Sequence, residues 1–317
     1  MIVVQLSGGL GNQMFQYATG RALAARRDAE LVLDSSWFGG QGGSVSGETR
    51  RYELGCFTHR ARLAHVDEVA RLPRSRVARL LGRFDRRRPL LRELVEPPFG
   101  QPAPAVVDAR DNSYLRGYWQ NRLYFQDAEA LLREDLTFRP EIAEQATSLV
   151  DAIGRSDVPV VSLHVRRSDY VKDPGVRDRM GVLEPAYYSA ALAAIAARVG
   201  EVRPLVFTDD VAWCERELGL GTDVKIAGAS RDEGETWASL MHAMSRCAHH
   251  VLANSSFSWW AAWLNPSQQK VVVAPTPWLS DPRWDDSNRI PPEWIRIDRD
   301  SHHADQPPST TRFEPVT

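Results

Sequence analysis

Two adjacent arginines, Arg166 and Arg167, stand in the stretch Leu163-His164-Val165-Arg166-Arg167-Ser168-Asp169-Tyr170, just after the apolar run Val158-Pro159-Val160-Val161. The run reads as a buried strand, so the pair sits where strand gives way to loop. In an open α/β sheet ligands bind at that end of the strands, and guanidinium forks match phosphate oxygens. Asp169 leaves a second reading open, a surface arginine pair bridged to its own neighbouring carboxylate.

Two other segments offer complementary chemistry. At the amino terminus the apolar strand Met1 to Leu6 runs into Ser7-Gly8-Gly9-Leu10-Gly11-Asn12-Gln13, and a helical pattern follows from Met14 to Ala24. A strand, a glycine-rich turn and a helix start bring free amide N–H groups close to a ligand. Gly9 and Gly11 also fit the first two glycines of a dinucleotide fingerprint, with Asp34 as ribose acid, but Met14 stands where that motif wants Gly or Ala. Further on, Val251-Leu252-Ala253 reads as a strand, Asn254-Ser255-Ser256 as a hydroxyl-rich turn, and Phe257 to Leu264 as a short helix stopped before Pro266. Asn254, Ser255 and Ser256 are good N-cap residues. Their side chains and the first N–H groups of the helix, Phe257 included, suit a second set of phosphate oxygens. The alternative is an ordinary capped helix, with Trp259, Trp260 and Trp263 in the core.

These three segments, GGLGNQMFQYA, HVRRSDY and NSSFSWWAAWL, resemble in order and spacing the motifs of glycosyltransferase family 11, whose best-known members are α-1,2-fucosyltransferases using GDP-fucose. A fourth, Pro204-Leu205-Val206-Phe207-Thr208-Asp209-Asp210, looks like the family's strand ending in paired acids. The resemblance covers roughly residues 1 to 280. It implies an α/β protein of GT-B-like fold, with two Rossmann-like doubly wound domains facing across a cleft. It also implies an inverting transfer of L-fucose from GDP-β-L-fucose to a hydroxyl of a galactoside-type glycan, giving an α-1,2 linkage.

By the same resemblance Arg166 holds the β-phosphate, and Arg167 orients the loop or touches the same group. His164 contacts the nucleoside or holds the arginines, and Asp209 or Asp210 accepts from ribose hydroxyls or guanine, unless it caps the following helix. Gly9, Gly11, Asn12, Asn254, Ser255, Ser256 and Phe257 complete the donor set. The developing diphosphate charge must be neutralised. Metal-dependent transferases use a DxD pair after a strand, whereas Thr208-Asp209-Asp210 lacks that spacing and Asp298-Arg299-Asp300 lies beside the tail. Arginines and helix starts are therefore expected in place of a metal, with no cofactor. For the acceptor proton, Asp169 is the candidate base, with Asp173 next, unless Asp169 is an ion-pair partner. Asn12 is the candidate for positioning the acceptor hydroxyl and glycosidic oxygen. Two other readings stay open: a transferase of this fold using another nucleotide sugar on a glycan or natural product, and a non-catalytic sugar-nucleotide or glycan-binding module.

The elements that must position these residues fit a chain of 317 residues, long enough for two domains and two cores at 43% hydrophobic content. The expected division is 1–150 on the acceptor side, 151–299 for the GDP-sugar, and a disordered tail 300–317, which is polar and rich in Pro, Ser and Thr. In the second half, strands Val158–Val165, Leu205–Thr208, near Ile226, His250–Ala253 and Lys270–Ala274 alternate with helices, as a parallel sheet requires. The first half predicts a strand over 112–119, a helix from Tyr124 to Leu136 and another from Ile142 to Ile153. The Gly39–Gly47 stretch reads either as an acceptor-side lid or as a disordered loop without a function.

Thirty-nine basic against 41 acidic residues give a net charge of −2, which recruits no nucleic acid. Charge is uneven, however: Arg71 to Arg92 holds nine arginines and one acid, Asp85, among leucines. It reads as an exposed helix or as a peripheral contact with an anionic membrane. No apolar run of ~18 residues reads as a membrane span, and Met1 leads straight into a strand, so the expected location is cytoplasmic, peripheral at most. Three cysteines, Cys56, Cys214 and Cys247, suit a reducing compartment.

Overall fold

The computed structural model describes residues 1–39, 44–45, 48–65, 68, 91–221, 224–228, 236–285 and 288–300. The arginine-rich stretch from Arg71 falls outside them up to its last two residues, as do most of the glycine loop and the tail beyond Asp300.

Two parallel sheets organise the chain. The first is built from β1 (Ile2–Gln5), β2 (Leu31–Asp34), β5 (Arg62–Leu63), β6 (Arg92–Val95) and β7 (Ser113–Arg116) in the order β5-β2-β1-β7-β6. The short strands β3 (Ser44–Val45) and β4 (Glu48–Thr49) form a separate antiparallel pair. The second sheet contains β8 (Val160–Val165), β9 (Arg203–Thr208), β10 (Ile226–Gly228), β11 (His249–Val251), β12 (Val272–Thr276) and β13 (Ile295–Asp298) in the order β10-β9-β8-β11-β12-β13. Counted within the sheet this is 3-2-1-4-5-6, the dinucleotide-binding order. Strand order reverses between β1 and β7 in the first sheet and between β8 and β11 in the second. Ligands bind at such points, beyond the carboxyl ends of the strands.

The helices are α1 (Leu10–Arg26), α2 (Pro104–Val107), α3 (Glu129–Asp135), α4 (Pro140–Gln145), α5 (Thr147–Gly154), α6 (Ser168–Lys172), α7 (Pro174–Met180), α8 (Pro185–Val199), α9 (Val211–Glu217), α10 (Trp237–Arg246) and α11 (Ser256–Leu264). The second half follows its sequence pattern closely, with β13, α6 and α7 added. The first half departs from it at three places. The strand expected over 112–119 stops at Arg116, because Trp119 adopts φ +56 and the Tyr118 and Trp119 amides donate to the Glu96 carboxylate instead of to a strand. The helix expected from Tyr124 begins as two 3₁₀ turns, the first capped by the Asn121 side chain. The helix expected over 142–153 is split at Ala146, where the Thr147 hydroxyl donates back to the Ala143 carbonyl. Its two pieces pack toward α10, with Thr236 Oγ1 donating to Gln145 Oε1 at 3.2 Å and Phe138 edge-on to His242 at 5.0 Å.

Core packing crosses from one half to the other. A single buried cluster runs from α1 through Phe125 to α10 and α11. Phe15 lies 4.8 Å from Trp259 and 5.1 Å from Trp260, and Phe125 stacks on Trp260 at 5.6 Å. Each such ring pair adds about 0.5–1.5 kcal/mol beyond its buried area. A second cluster occupies the opposite face of the second sheet, under α8 and α9, and a small third one involves Val3, Val32, Leu91 and Tyr114.

One helical stretch among the described residues, Pro174–Val199, has the length of a membrane span and holds an 18-residue window of mean hydropathy 1.2. Gly181, at φ +65, interrupts it, and α8 buries Tyr187, Tyr188, Ala191 and Ile195 against the second sheet.

The halves meet where α1 and α11 begin. A Cβ at Gly11 would stand 2.6 Å from the Phe257 nitrogen and the Ser256 carbonyl carbon, so only glycine lets the two helix starts touch. Gly11→Ala is expected to destabilise the protein by roughly 1–3 kcal/mol through overpacking of backbone against backbone. Gly154→Ala, whose Cβ meets nothing within 4 Å, is expected to leave stability unchanged or slightly raised. Urea midpoints of the two variants check both outcomes.

Candidate active site

A cavity of ≈ 250 Å³ opens between the two sheets, at both reversal points. On the second-sheet side β8 is buried throughout and delivers its last residues to the rim. Arg166 is gripped there by two carboxylates, with Nη2 2.6 Å from Asp169 Oδ1 and Nη1 2.6 Å from Asp209 Oδ2. Tyr170 lies under the same guanidinium at 5.7 Å. Asp209 also accepts the Arg167 backbone N–H at 2.8 Å, which ties the end of β9 to the loop after β8.

Arg167 turns the other way. Its guanidinium stacks on Trp213 at 3.9 Å and reaches Asp210 at 3.5 Å, while Asp210 caps α9 by accepting from the Trp213 N–H. Arg167 and Asp210 therefore lie behind the cavity wall, whereas Gly9, Gly11, Asn12, His164, Arg166, Asp169, Asp209, Asn254, Ser255, Ser256 and Phe257 all line it. Asp173 is outside as well and caps α7 by accepting from Gly175 and Val176.

His164 is 4% exposed, and its Nδ1 has no hydrogen-bond partner among the described residues. Burial holds its pKa well below the usual histidine value. The negative charge of Asp209 works against that shift and the positive charge of Arg166 adds to it. The ring is neutral at pH 7 and lies 5.5 Å from Phe257.

The turn after β11 is organised from within. Ser255 Oγ accepts the Phe257 N–H as the cap of α11, and Asn254 Nδ2 donates to the Met180 carbonyl at 2.6 Å. Ser256 reaches across the cleft, its hydroxyl donating to Asn12 Oδ1 at 2.9 Å. Gln120 Nε2 donates to the same oxygen at 2.6 Å, so the Asn12 carboxamide is fixed by one donor from each half.

On the first-sheet side Gly8 takes φ +72, where a Cβ would also strike Asn12 Nδ2 at 2.5 Å. Gln13 and Gln16, both fully buried, hold the loops around the cleft. Gln13 bonds the Gly8 and Arg51 carbonyls and the Glu53 N–H; Gln16 bonds Ser7 and the Gly117 carbonyl. Asp34, the ribose acid of the dinucleotide alternative, is buried and accepts the Tyr114 hydroxyl at 2.6 Å. The glycine turn thus serves the contact between the halves as well as the cavity.

The cavity also contains residues no sequence pattern singled out: Arg50, Glu53, Glu96, Arg179 and Arg289, with Trp37, Trp237 and Trp284 among its aromatic walls. Tyr170, quoted only as part of its motif, joins them and donates its hydroxyl to the Asn254 carbonyl at 3.1 Å. The arginines lie on separate segments, Arg179 in α7 and Arg50 and Arg289 outside the helices and strands, and nothing in their local sequence signals convergence.

Two parallel sheets with facing reversal points and an arginine clamped at one of them define a GT-B-like transferase fold. Residues 106–298 match the sequence profile of "Glycosyl transferase family 11". An Escherichia coli "O-antigen biosynthesis glycosyltransferase WbnK" is 32% identical over 87% of this chain and 94% of its own. An "Alpha-1,2-colitosyltransferase", also from Escherichia coli, is 29% identical over 94% of this chain and 99% of its own. Among solved structures, the fucosyltransferase NodZ from Bradyrhizobium superposes with a TM-score of 0.50 at 16% identity, over 84% of this chain and 92% of that one; its likeness is one of fold. The chain belongs to glycosyltransferase family 11 and is a glycosyltransferase.

A second buried histidine adjoins the site's central strand. In β11, His250 accepts at Nε2 from Asn265 Nδ2 (2.9 Å) and donates from Nδ1 to Ser162 Oγ (2.8 Å), which fixes a neutral ring. Burial, aided by Lys270 and His249, pushes its pKa down to about 3. Both His164 and His250 take up a proton near pH 6.5 when unfolded but not when folded. Stability is therefore complete above pH 6.5 and falls below it, by up to roughly 1.4 kcal/mol per pH unit for each ring. Melting temperatures between pH 7.5 and 4.5 are expected to drop on the acid side. NMR titration is expected to show both rings neutral at pH 5.

Proposed function

We propose that this enzyme transfers L-fucose from GDP-β-L-fucose to a galactoside hydroxyl, forming an α-1,2 linkage with inversion and without a metal. The observation that carries the donor part is Arg166, held by Asp169 and Asp209 at the reversal point of the second sheet, opposite the start of α11. The sugar and linkage are supported by relatives named as galactoside α-1,2-fucosyltransferases, and the linkage also by the Escherichia coli α-1,2-colitosyltransferase. NodZ, which shares the fold, is known co-crystallised with GDP.

The chemistry follows from charge. Attack of the acceptor oxygen on the anomeric carbon breaks the sugar–phosphate bond, and the electron pair leaves on the β-phosphate. Arg166 and the N–H groups at the start of α11 are aimed where that charge grows, in a site drier than water. Asp169 and Asp209 fix the plane of the arginine fork, so no reorganisation is needed during the reaction. Arg167, stacked on Trp213, holds the loop. Asn12, its oxygen occupied from both sides, offers its Nδ2 to the oxygens at the reacting centre. His164 and Phe257 bound the nucleoside end.

A second reading has its own observation, the relative named as a colitosyltransferase that matches almost the whole chain. Colitose is fucose without its 3-hydroxyl. A site that hydrogen-bonds that hydroxyl discriminates against the deoxy sugar by about 10⁴-fold, whereas a site that merely leaves it room does not. The ratio of kcat/KM for GDP-fucose and GDP-colitose decides between the two donors.

In EDTA, GDP and GDP-fucose are expected to raise the melting temperature of the wild type, and UDP, ADP and CMP are not. In Arg166→Ala the shift is expected to vanish. A response to UDP alone, or one that requires Mg²⁺, would overturn the donor assignment.

A further inference from the structure

We infer that Glu96, on the first-sheet wall of the cleft, is the catalytic carboxylate that takes the proton of the acceptor hydroxyl. The inference rests on the transfer reaction proposed above and assigns its missing proton acceptor.

Among the described residues the cavity is lined by four carboxylates: Glu53, Glu96, Asp169 and Asp209. Asp169 and Asp209 both face Arg166 at 2.6 Å on the donor side, so each is already committed to a cation. Glu53 reaches toward Gly9 together with Arg50; the two side chains lie 4.0 and 3.3 Å from where a Cβ at that glycine would stand. Glu96 differs in its surroundings. It follows β6 at the carboxyl end of the first sheet, and its oxygens accept two backbone amides, Tyr118 N–H at 2.6 Å and Trp119 N–H at 2.8 Å.

Those bonds hold the carboxylate rigidly, and each oxygen keeps a second lone pair. Gly117 makes the approach possible, because a Cβ there would lie 2.3 Å from that of Glu96. Tyr118, 44% exposed on the same loop, stands on the cavity wall beside it.

Burial raises the Glu96 pKa above the ordinary carboxylate value, against the pull of the two amides and of Arg289. The positive charge of Arg289 acts on it from the connection between β12 and β13, and Tyr124, near Asp285, lies within its field. A carboxylate of raised basicity is a better proton acceptor near neutral pH. In the step, the acceptor O–H proton passes to Glu96 as the acceptor oxygen bonds to the anomeric carbon. The sugar–phosphate bond breaks, and its electron pair leaves on the nucleoside diphosphate.

The test is Glu96→Gln in the full-length enzyme, with GDP-fucose and a galactoside acceptor. Expected are a fall in kcat of about 10²–10⁴-fold, GDP affinity within twofold of wild type, and loss of the acid limb of the kcat/KM profile. Glu96→Asp is expected to retain that limb at a lower rate. Transfer to azide, which has no proton to lose, is expected to survive in Glu96→Gln. Retention of the acid limb, or an equal loss of azide transfer, would reduce Glu96 to a pin for the 117–119 loop and overturn the inference. A wild type that transfers nothing from GDP-fucose would instead fail the reading beneath it.

Discussion

The structure depends on one contact between backbones: the start of α1 against the start of α11, with no side chain between them at Gly11. Each helix start is a place where N–H groups lack partners within the helix and partial positive charge accumulates. Bringing two of them together would be unfavourable without anions or acceptors nearby. The protein supplies an acceptor of its own, the Ser255 hydroxyl on the Phe257 N–H, and leaves a cavity beside it. Electropositive backbone and space for an anion thus come from the same contact.

That contact also explains why the aromatic residues of the third motif are so dense. Trp259 and Trp260 fill the space immediately behind the touching helix starts, against Phe15 and Phe125 from the other half. A core shared between the sheets fixes their separation to within a side-chain packing distance, and well-packed interiors do not deform continuously. The Trp259 indole N–H donates to the Arg289 carbonyl at 2.8 Å, so the connection between β12 and β13, another cavity wall, is referred to the same core.

Much of this was legible in the sequence, and the parts that were not share a cause. The second sheet could be read because its inner strands are buried on both faces and alternate with helices, whereas the half-exposed edge strand β13 was not read. Arg166 and Asp169 could be read because they are three residues apart, where β8 passes into α6. Asp210 as a cap and Asp209 as a ligand-side acid could be told apart only through Trp213 and Arg166, which sit on separate segments. Gly11 suggested a ligand approach, yet its close neighbours are 245 and 246 residues away. Gln13 and Gln16 looked like ordinary helix residues, since a buried glutamine signals itself only through the distant carbonyls it satisfies. Glu96, Arg179 and Arg289 converge through the reversal points of two sheets, which no local pattern encodes.

The distribution of charge across the cleft separates the two tasks a transferase must perform. On the second-sheet wall the acids are paired with Arg166, and the neutral His164 adds no further cation to compete for them. Both Nη atoms of Arg166 meet an aspartate, so the guanidinium is held in one plane at the cavity wall. On the first-sheet wall Glu96 is held by two neutral amides, which lower its pKa while burial raises it by more. An acid in a direct ion pair keeps its charge, whereas one buried among neutral groups binds a proton more readily, even against the pull of its amide donors. The fold supplies the first arrangement at the end of β8 and the second at the end of β6, on opposite sides of one cavity.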